Sequence, residues 1–183
     1  MVKNIEMDTE QLILSDKAKF NIVLVHPEIP QNTGNIIRLC ANTGANLYLV
    51  EPLGFTLDDA NLRRAYLDYK DLARVTIIDN IEDVFSSHIT QNIYCASTDG
   101  ARDYTKPSYQ TGDTIIFGSE SVGLSTSIKA RICPTNQISI PMMPNNRSLN
   151  LSNAVSIIAY EMWRQMSFHG STMNKISNNE YFS

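Results

Sequence analysis

The chain reads as one α/β domain, a mostly parallel sheet with helices on both faces. Three observations predict it. Short β-branched or aromatic runs alternate with helical patterns, and strands that alternate with helices build crossovers between parallel neighbours. A length of 183 residues, 43% hydrophobic and 19% charged, suits one domain with a proper core and is short for two. Polar stretches flank the pattern, leaving a domain at 20–169 between an extension at 1–19 and a tail at 170–183.

Phe20-Asn21-Ile22-Val23-Leu24-Val25 is a strand, ended by Pro27 and Pro30. A helix follows over 32–43, with Ile36, Ile37, Leu39, Cys40 and Ala41 forming its apolar side. Asn32 or Thr33 is its expected N-cap, and Gly44 its left-handed stop. Residues 46–50 form the next strand, 57–72 a helix, 75–78 a strand, 81–87 a helix and 93–96 a strand. Thr114-Ile115-Ile116-Phe117 is a strand that runs into a glycine loop. Residues 125–131 make a short helix, 137–140 the last strand and 151–168 a long closing helix; a further short helix falls over 9–18. In the closing helix, Leu151, Val155, Ile157, Ile158, Met162 and Trp163 spread around much of the circumference. A helix apolar on most sides is covered by more than its own sheet, and a second copy is the simplest cover. A homodimer is therefore expected.

Composition excludes several classes. A net charge of −4 argues against a polybasic nucleic-acid binder, although a local basic patch remains open. Cys40, Cys95 and Cys133 are odd in number and widely spaced, and His26, His88 and His169 are far apart. A disulfide framework and structural zinc are thus not expected, which fits a reducing cytoplasm. The N-terminus carries no signal-peptide pattern, and no run approaches the ~18 apolar residues of a membrane helix.

Ligands of parallel sheets bind beyond the carboxyl ends of the strands. Three such ends here carry unusual loops: 26–34, 118–124 and 141–150. The first holds two prolines and Asn32, and leads to Arg38 in the following helix. Arg38 is either a surface charge or a planar fork that clamps a phosphate or orients a nucleophile. The second, Gly118-Ser119-Glu120-Ser121-Val122-Gly123-Leu124, follows a strand directly, and glycines there permit close approach to the backbone. It is neither a Walker loop nor G-x-G-x-x-G, and Glu120 is its single carboxylate. The third, with Ile140-Pro141-Met142-Met143-Pro144, is a stiff apolar wall that suits a flat ring or plain packing. It opens into Asn145-Asn146-Arg147-Ser148-Leu149-Asn150-Leu151-Ser152-Asn153, where a loop becomes the closing helix. Its first N–H groups lack intrahelical partners and can hold a carboxylate or phosphate. Arg147, Ser148, Asn150, Ser152 and Asn153 are more polar groups than capping requires.

Together the segments PEIPQNTGNIIRLCANTGANLYLVEPLGF at 27–55, FGSESVGL at 117–124 and IPMMPNNRSLNLSNAVSIIAYEMWRQ at 140–165 resemble the signature motifs of the SPOUT class of RNA methyltransferases. The correspondence covers about 20–168 in order, and is nearest the small subgroup that methylates the ribose 2′-hydroxyl of the tRNA wobble nucleotide. That resemblance implies a deep C-terminal trefoil knot, S-adenosylmethionine as cofactor without a metal, tRNA bound at its anticodon region, and an active site completed across a dimer. It carries the cofactor pocket onto Ala96, Ser97, Gly118, Glu120, Ile140, Ser148 and Asn150. Catalysis falls on Arg38 and Asn32, and substrate contact on Arg38, Arg147 and Asn153. Gln31, Ser119 and Ala96 depart from residues common in the class, and none removes a polar group that methyl transfer needs. Two other readings stay open: a related 2′-O-methyltransferase acting on another tRNA or rRNA nucleotide, and a knotted RNA-binding protein without catalysis.

Overall fold

The computed structural model describes residues 20–56, Leu62, Asp68, 73–86 and 91–171. The expected helix over 9–18, most of that over 57–72 and the tail beyond 171 lie outside the described residues. Seven strands form one sheet: β1 (Asn21–Val25), β2 (Asn46–Val50), β3 (Arg74–Ile78), β4 (Ile93–Ala96), β5 (Arg102–Asp103), β6 (Thr114–Phe117) and β7 (Gln137–Ser139). The order is β3-β2-β1-β6-β4-β7-β5, and every pairing is parallel. Among the described residues, α-helices with defined bounds are α1 (Pro30–Thr43), α2 (Glu82–Ser86), α3 (Thr126–Ala130) and α4 (Leu151–Gln165).

Alternation along the strands sorts the core into two layers. Ile22 and Leu24 of β1 face a cluster that includes Ile36, Ile37 and Cys40 of α1 and Val155, Ile158 and Met162 of α4. Val23 and Val25 face the other way, onto Val84 of α2, Ile128 of α3 and Ile132. Helices therefore cover both faces, as the alternating pattern predicts. Each such fully buried aliphatic side chain stabilises the fold by about 1.5–3 kcal/mol. Burial also pushes the Cys40 thiol far up and the Cys95 thiol to about 11, so both stay protonated core residues.

Strand order reverses at β1, whose neighbours are β2 on one side and β6 on the other. The crevice beyond such a switch point is where ligands bind in open parallel sheets. A second non-sequential feature lies at β7, which pairs with β4 on one side and β5 on the other. The connection 97–101 must therefore cross β7. Ser97 N–H donates to Ile138 O at 3.0 Å, and a Cβ on Gly100 would sit 2.4 Å from the Ile138 carbonyl carbon. Only glycine lets this crossing lie so close. The crossing is consistent with the expected knot.

Several boundaries differ from the sequence reading. α1 begins at Pro30 rather than Asn32, and its N-cap is Ile29, which offers no side-chain acceptor. The expected cap at Asn32 or Thr33 is thus corrected: proline has no N–H to lose at the first helical position, so the turn starts there. Gly44 does end the helix, at φ 73°, its N–H donating to Cys40 O. α4 stops at Gln165 rather than at residue 168, because Ser167 and Phe168 turn to positive φ. β5 is two residues long and carries no strand pattern of its own.

Candidate active site at the carboxyl edge of the sheet

The loops that leave β1, β6, β4 and β7 meet at one cavity of ≈ 770 Å³. These four strands are consecutive neighbours in the sheet, so the cavity spans about 14 Å of its edge. Ile29 and Asn32 border it from the β1 side, Gly118 and Glu120 from β6, Ala96 and Ser97 from β4. Ile140, Arg147, Ser148 and Asn150 border it from the chain beyond β7.

A polar chain holds these loops together. Glu120, between its own loop and α1, accepts from Glu28 N–H at 2.8 Å, Ile29 N–H at 3.3 Å and Asn32 Nδ2 at 2.9 Å. The Glu28 carboxylate answers by accepting from Ser121 N–H at 3.1 Å and from its hydroxyl at 2.6 Å. Beyond Asn32 the chain continues: its Oδ1 accepts from Asn150 Nδ2 at 3.0 Å. Asn150 in turn caps α4, its Oδ1 accepting from Ser152 N–H at 2.9 Å, Ser152 Oγ at 2.7 Å and Asn153 N–H at 3.4 Å. Two of the free N–H groups expected at this entrance, those of Ser152 and Asn153, are therefore taken from within. A tethered side-chain oxygen two residues away meets them without losing the freedom an external anion would lose.

The second loop is closed on itself. A Cβ on Gly118 would lie 2.0 Å from the carbonyl carbon of Gly123. The loop's own backbone comes this close because it folds back through a Ser119–Gly123 bridge. Gly123 supplies the reversal at φ 68°, and a Cβ there would meet nothing within 4 Å.

Nine of the residues singled out by sequence and loop come to this cavity: Asn32, Ala96, Ser97, Gly118 and Glu120, then Ile140, Arg147, Ser148 and Asn150. Arg38 and Asn153 do not line it. Arg38 is exposed on α1, and Asn153 is exposed in the first turn of α4. Sequence reasoning missed Glu28 as the partner of Ser121, and it missed Asp99 with Lys129 at the cavity lip. The Lys129 ammonium, then the Ser97 hydroxyl, hold the Asp99 carboxyl down at about 2. Nothing local marks any of these, since each partner lies far along the chain.

The donor set fits S-adenosylmethionine. Aliphatic Ala96, Leu124 and Ile140 offer a wall for a flat ring, serine hydroxyls can meet a ribose, and charges of both signs border the opening. Among the described residues no group of three or more His, Cys, Asp or Glu could hold a metal ion, and no helix is long and apolar enough to cross a membrane.

The fold and cavity are those of an α/β methyltransferase, and the chain belongs to the SpoU rRNA methylase family, whose pattern matches residues 19–160. It is 47% identical over 152 residues to the tRNA (cytidine(34)-2′-O)-methyltransferase of Methylovorus glucosotrophus (strain SIP3-4), covering 83% of this chain and 99% of that one. A solved structure concerned with 2-OH methylation of C/U34 on tRNA is similar at TM-score 0.74 and 35% identity, covering 82% of this chain and 97% of that one. The SpoU methyltransferase AviRb of Streptomyces viridochromogenes, solved with AdoMet, shares the fold at TM-score 0.75 and 21% identity, covering 88% of this chain and 65% of that one.

Proposed function

We propose that this protein transfers a methyl group from S-adenosylmethionine to the ribose 2′-hydroxyl of the wobble cytidine or uridine of tRNA. One observation carries the reading: the chain spans nearly the whole of a relative named for that activity, and its own loops converge on one cavity that fits the donor.

When bound, S-adenosylmethionine supplies a methyl group on a sulfonium centre, and it leaves as a neutral thioether. The protein's work is then positioning and proton handling. Ala96, Ser97, Gly118, Ile140 and Ser148 would hold the donor, and Asn150 with Glu120 would hold the loops that carry them. Arg147, at the mouth, and Asn153 would face the RNA backbone. Arg38 would align the hydroxyl and stabilise negative charge developing on its oxygen, since a guanidinium gives up a proton only above about pH 12. A neighbouring phosphate or water would take the proton.

Arg38 lies outside the cavity of its own chain, and the proposed remedy is a homodimer in which one protomer's Arg38 faces its partner's cavity. The half-exposed Tyr160 on α4 is consistent with a covered helix face. The proposed compartment is the cytoplasm. Incubating the purified protein with labelled methyl donor and total tRNA, then mapping the label by nuclease digestion, tests the reading. Label on the first anticodon nucleotide is expected; label elsewhere, or in rRNA alone, would replace it with the wider family activity.

A further inference from the structure

Among the described residues, four charged side chains border the cavity: Asp99, Glu120, Lys129 and Arg147. Glu120 is occupied by three donors from the loop before α1 and from Asn32. Arg147 stands exposed on the loop before α4. Asp99 and Lys129 differ from both, because they form a balanced pair at the lip. Lys129 Nζ lies 2.8 Å from Asp99 Oδ2 and 3.2 Å from Oδ1, and the Ser97 hydroxyl donates to the same carboxylate.

We propose that Asp99 and Lys129 form the subsite for the amino-acid end of the methyl donor, Asp99 taking its α-ammonium and Lys129 its α-carboxylate. This rests on the methyltransferase reading above and names a part of that site. Three features favour a zwitterion as the occupant. The pair offers one charge of each sign side by side, the arrangement an α-amino acid presents in mirror image. A polyanion would meet the exposed Asp99 carboxylate beside the ammonium and be repelled by it. The pair is also poorly committed to itself, with the Asp99 side chain 68% exposed and that of Lys129 21%. An ion pair in that setting opens at little cost, and a ligand that covers it makes each contact count for more. Ser97 acts as a positioning residue, fixing the carboxylate that the crossing over β7 brings to the lip.

The competing role is a structural latch between the 97–101 connection and α3. Calorimetric titration of the full chain with S-adenosylhomocysteine and with methylthioadenosine, which lacks the amino-acid end, separates the two. Lys129→Ala and Asp99→Asn are each expected to weaken S-adenosylhomocysteine by about 10- to 100-fold while leaving methylthioadenosine within about twofold. Lys129→Arg, which keeps the charge, is expected to retain most of the affinity. Equal weakening of both ligands, or unchanged S-adenosylhomocysteine binding in both variants, would overturn the subsite and leave the methyltransferase reading standing. A wild-type protein that binds neither ligand would remove that reading, and the subsite with it.

Discussion

α1 and α4 both open onto the cavity, and their first turns are satisfied in opposite ways. α4 caps itself, with Asn150 accepting from Ser152 and Asn153 within its own first turn. α1 has no side-chain cap; the N–H groups just before it, on Glu28 and Ile29, are met by Glu120 from the loop after β6. A carboxylate at a helix N-terminus is favoured by the macrodipole wherever in the chain it comes from. One entrance therefore forms from local sequence, whereas the other needs the β6 loop already in place. Asn32, accepting from Asn150 and donating to Glu120, ties the local entrance to the tertiary one.

The strongest way to break this contrast is to disturb the loop on which α1 depends. Gly118→Ala would press a methyl group against the Gly123 carbonyl carbon. We expect a loss of about 2–3 kcal/mol in denaturant unfolding, with S-adenosylhomocysteine affinity down at least about tenfold by calorimetry. Glu120→Ala removes three hydrogen bonds at once but at a site water can partly reach. Unfolding should cost about 1–2 kcal/mol, while methyl transfer falls about 100-fold, because misplaced loops spoil the alignment of reactants.

Substitution of Asn150 sharpens the comparison. Asn150→Ala should cost about 1 kcal/mol through the lost cap. Asn150→Asp keeps the acceptor for Ser152 and Asn153 and loses the donor to Asn32, so it should keep most of the stability and still lower donor affinity. Equal stability losses in the two variants would mean that the Asn32 link, rather than the cap, carries the effect.

The smallest effect is a pH dependence. Asp99 is depressed from 3.8 to about 2, so the stability it adds is present above its unfolded value and is lost as pH falls through the folded one. The thermal midpoint should drop slightly more between pH 4 and pH 2 in the wild type than in Asp99→Asn. An exposed pair makes that difference small.

What the sequence disclosed follows the same division between local and tertiary. β1, β2 and β6 are legible because their apolar runs match a doubly covered strand, and Gly44 is legible because its left-handed stop is a one-residue property. β5 is not, since Arg102 and Asp103 become a strand only by lying beside β7. Asn32 looked like a cap because its residue type suits one, but Pro30 starts the helix earlier and frees the amide for Glu120. The cavity's loops could be gathered at one sheet edge from strand order and motif. The pairings Glu28–Ser121 and Asp99–Lys129 could not, because nothing near either residue marks its partner.

The central claim is that these separated loops build one donor site against the sheet edge. A crystal structure of the full chain with S-adenosylhomocysteine tests it most directly. The ligand is expected in contact with Gly118, Ile140 and Ser148. A ligand bound away from all three would contradict it.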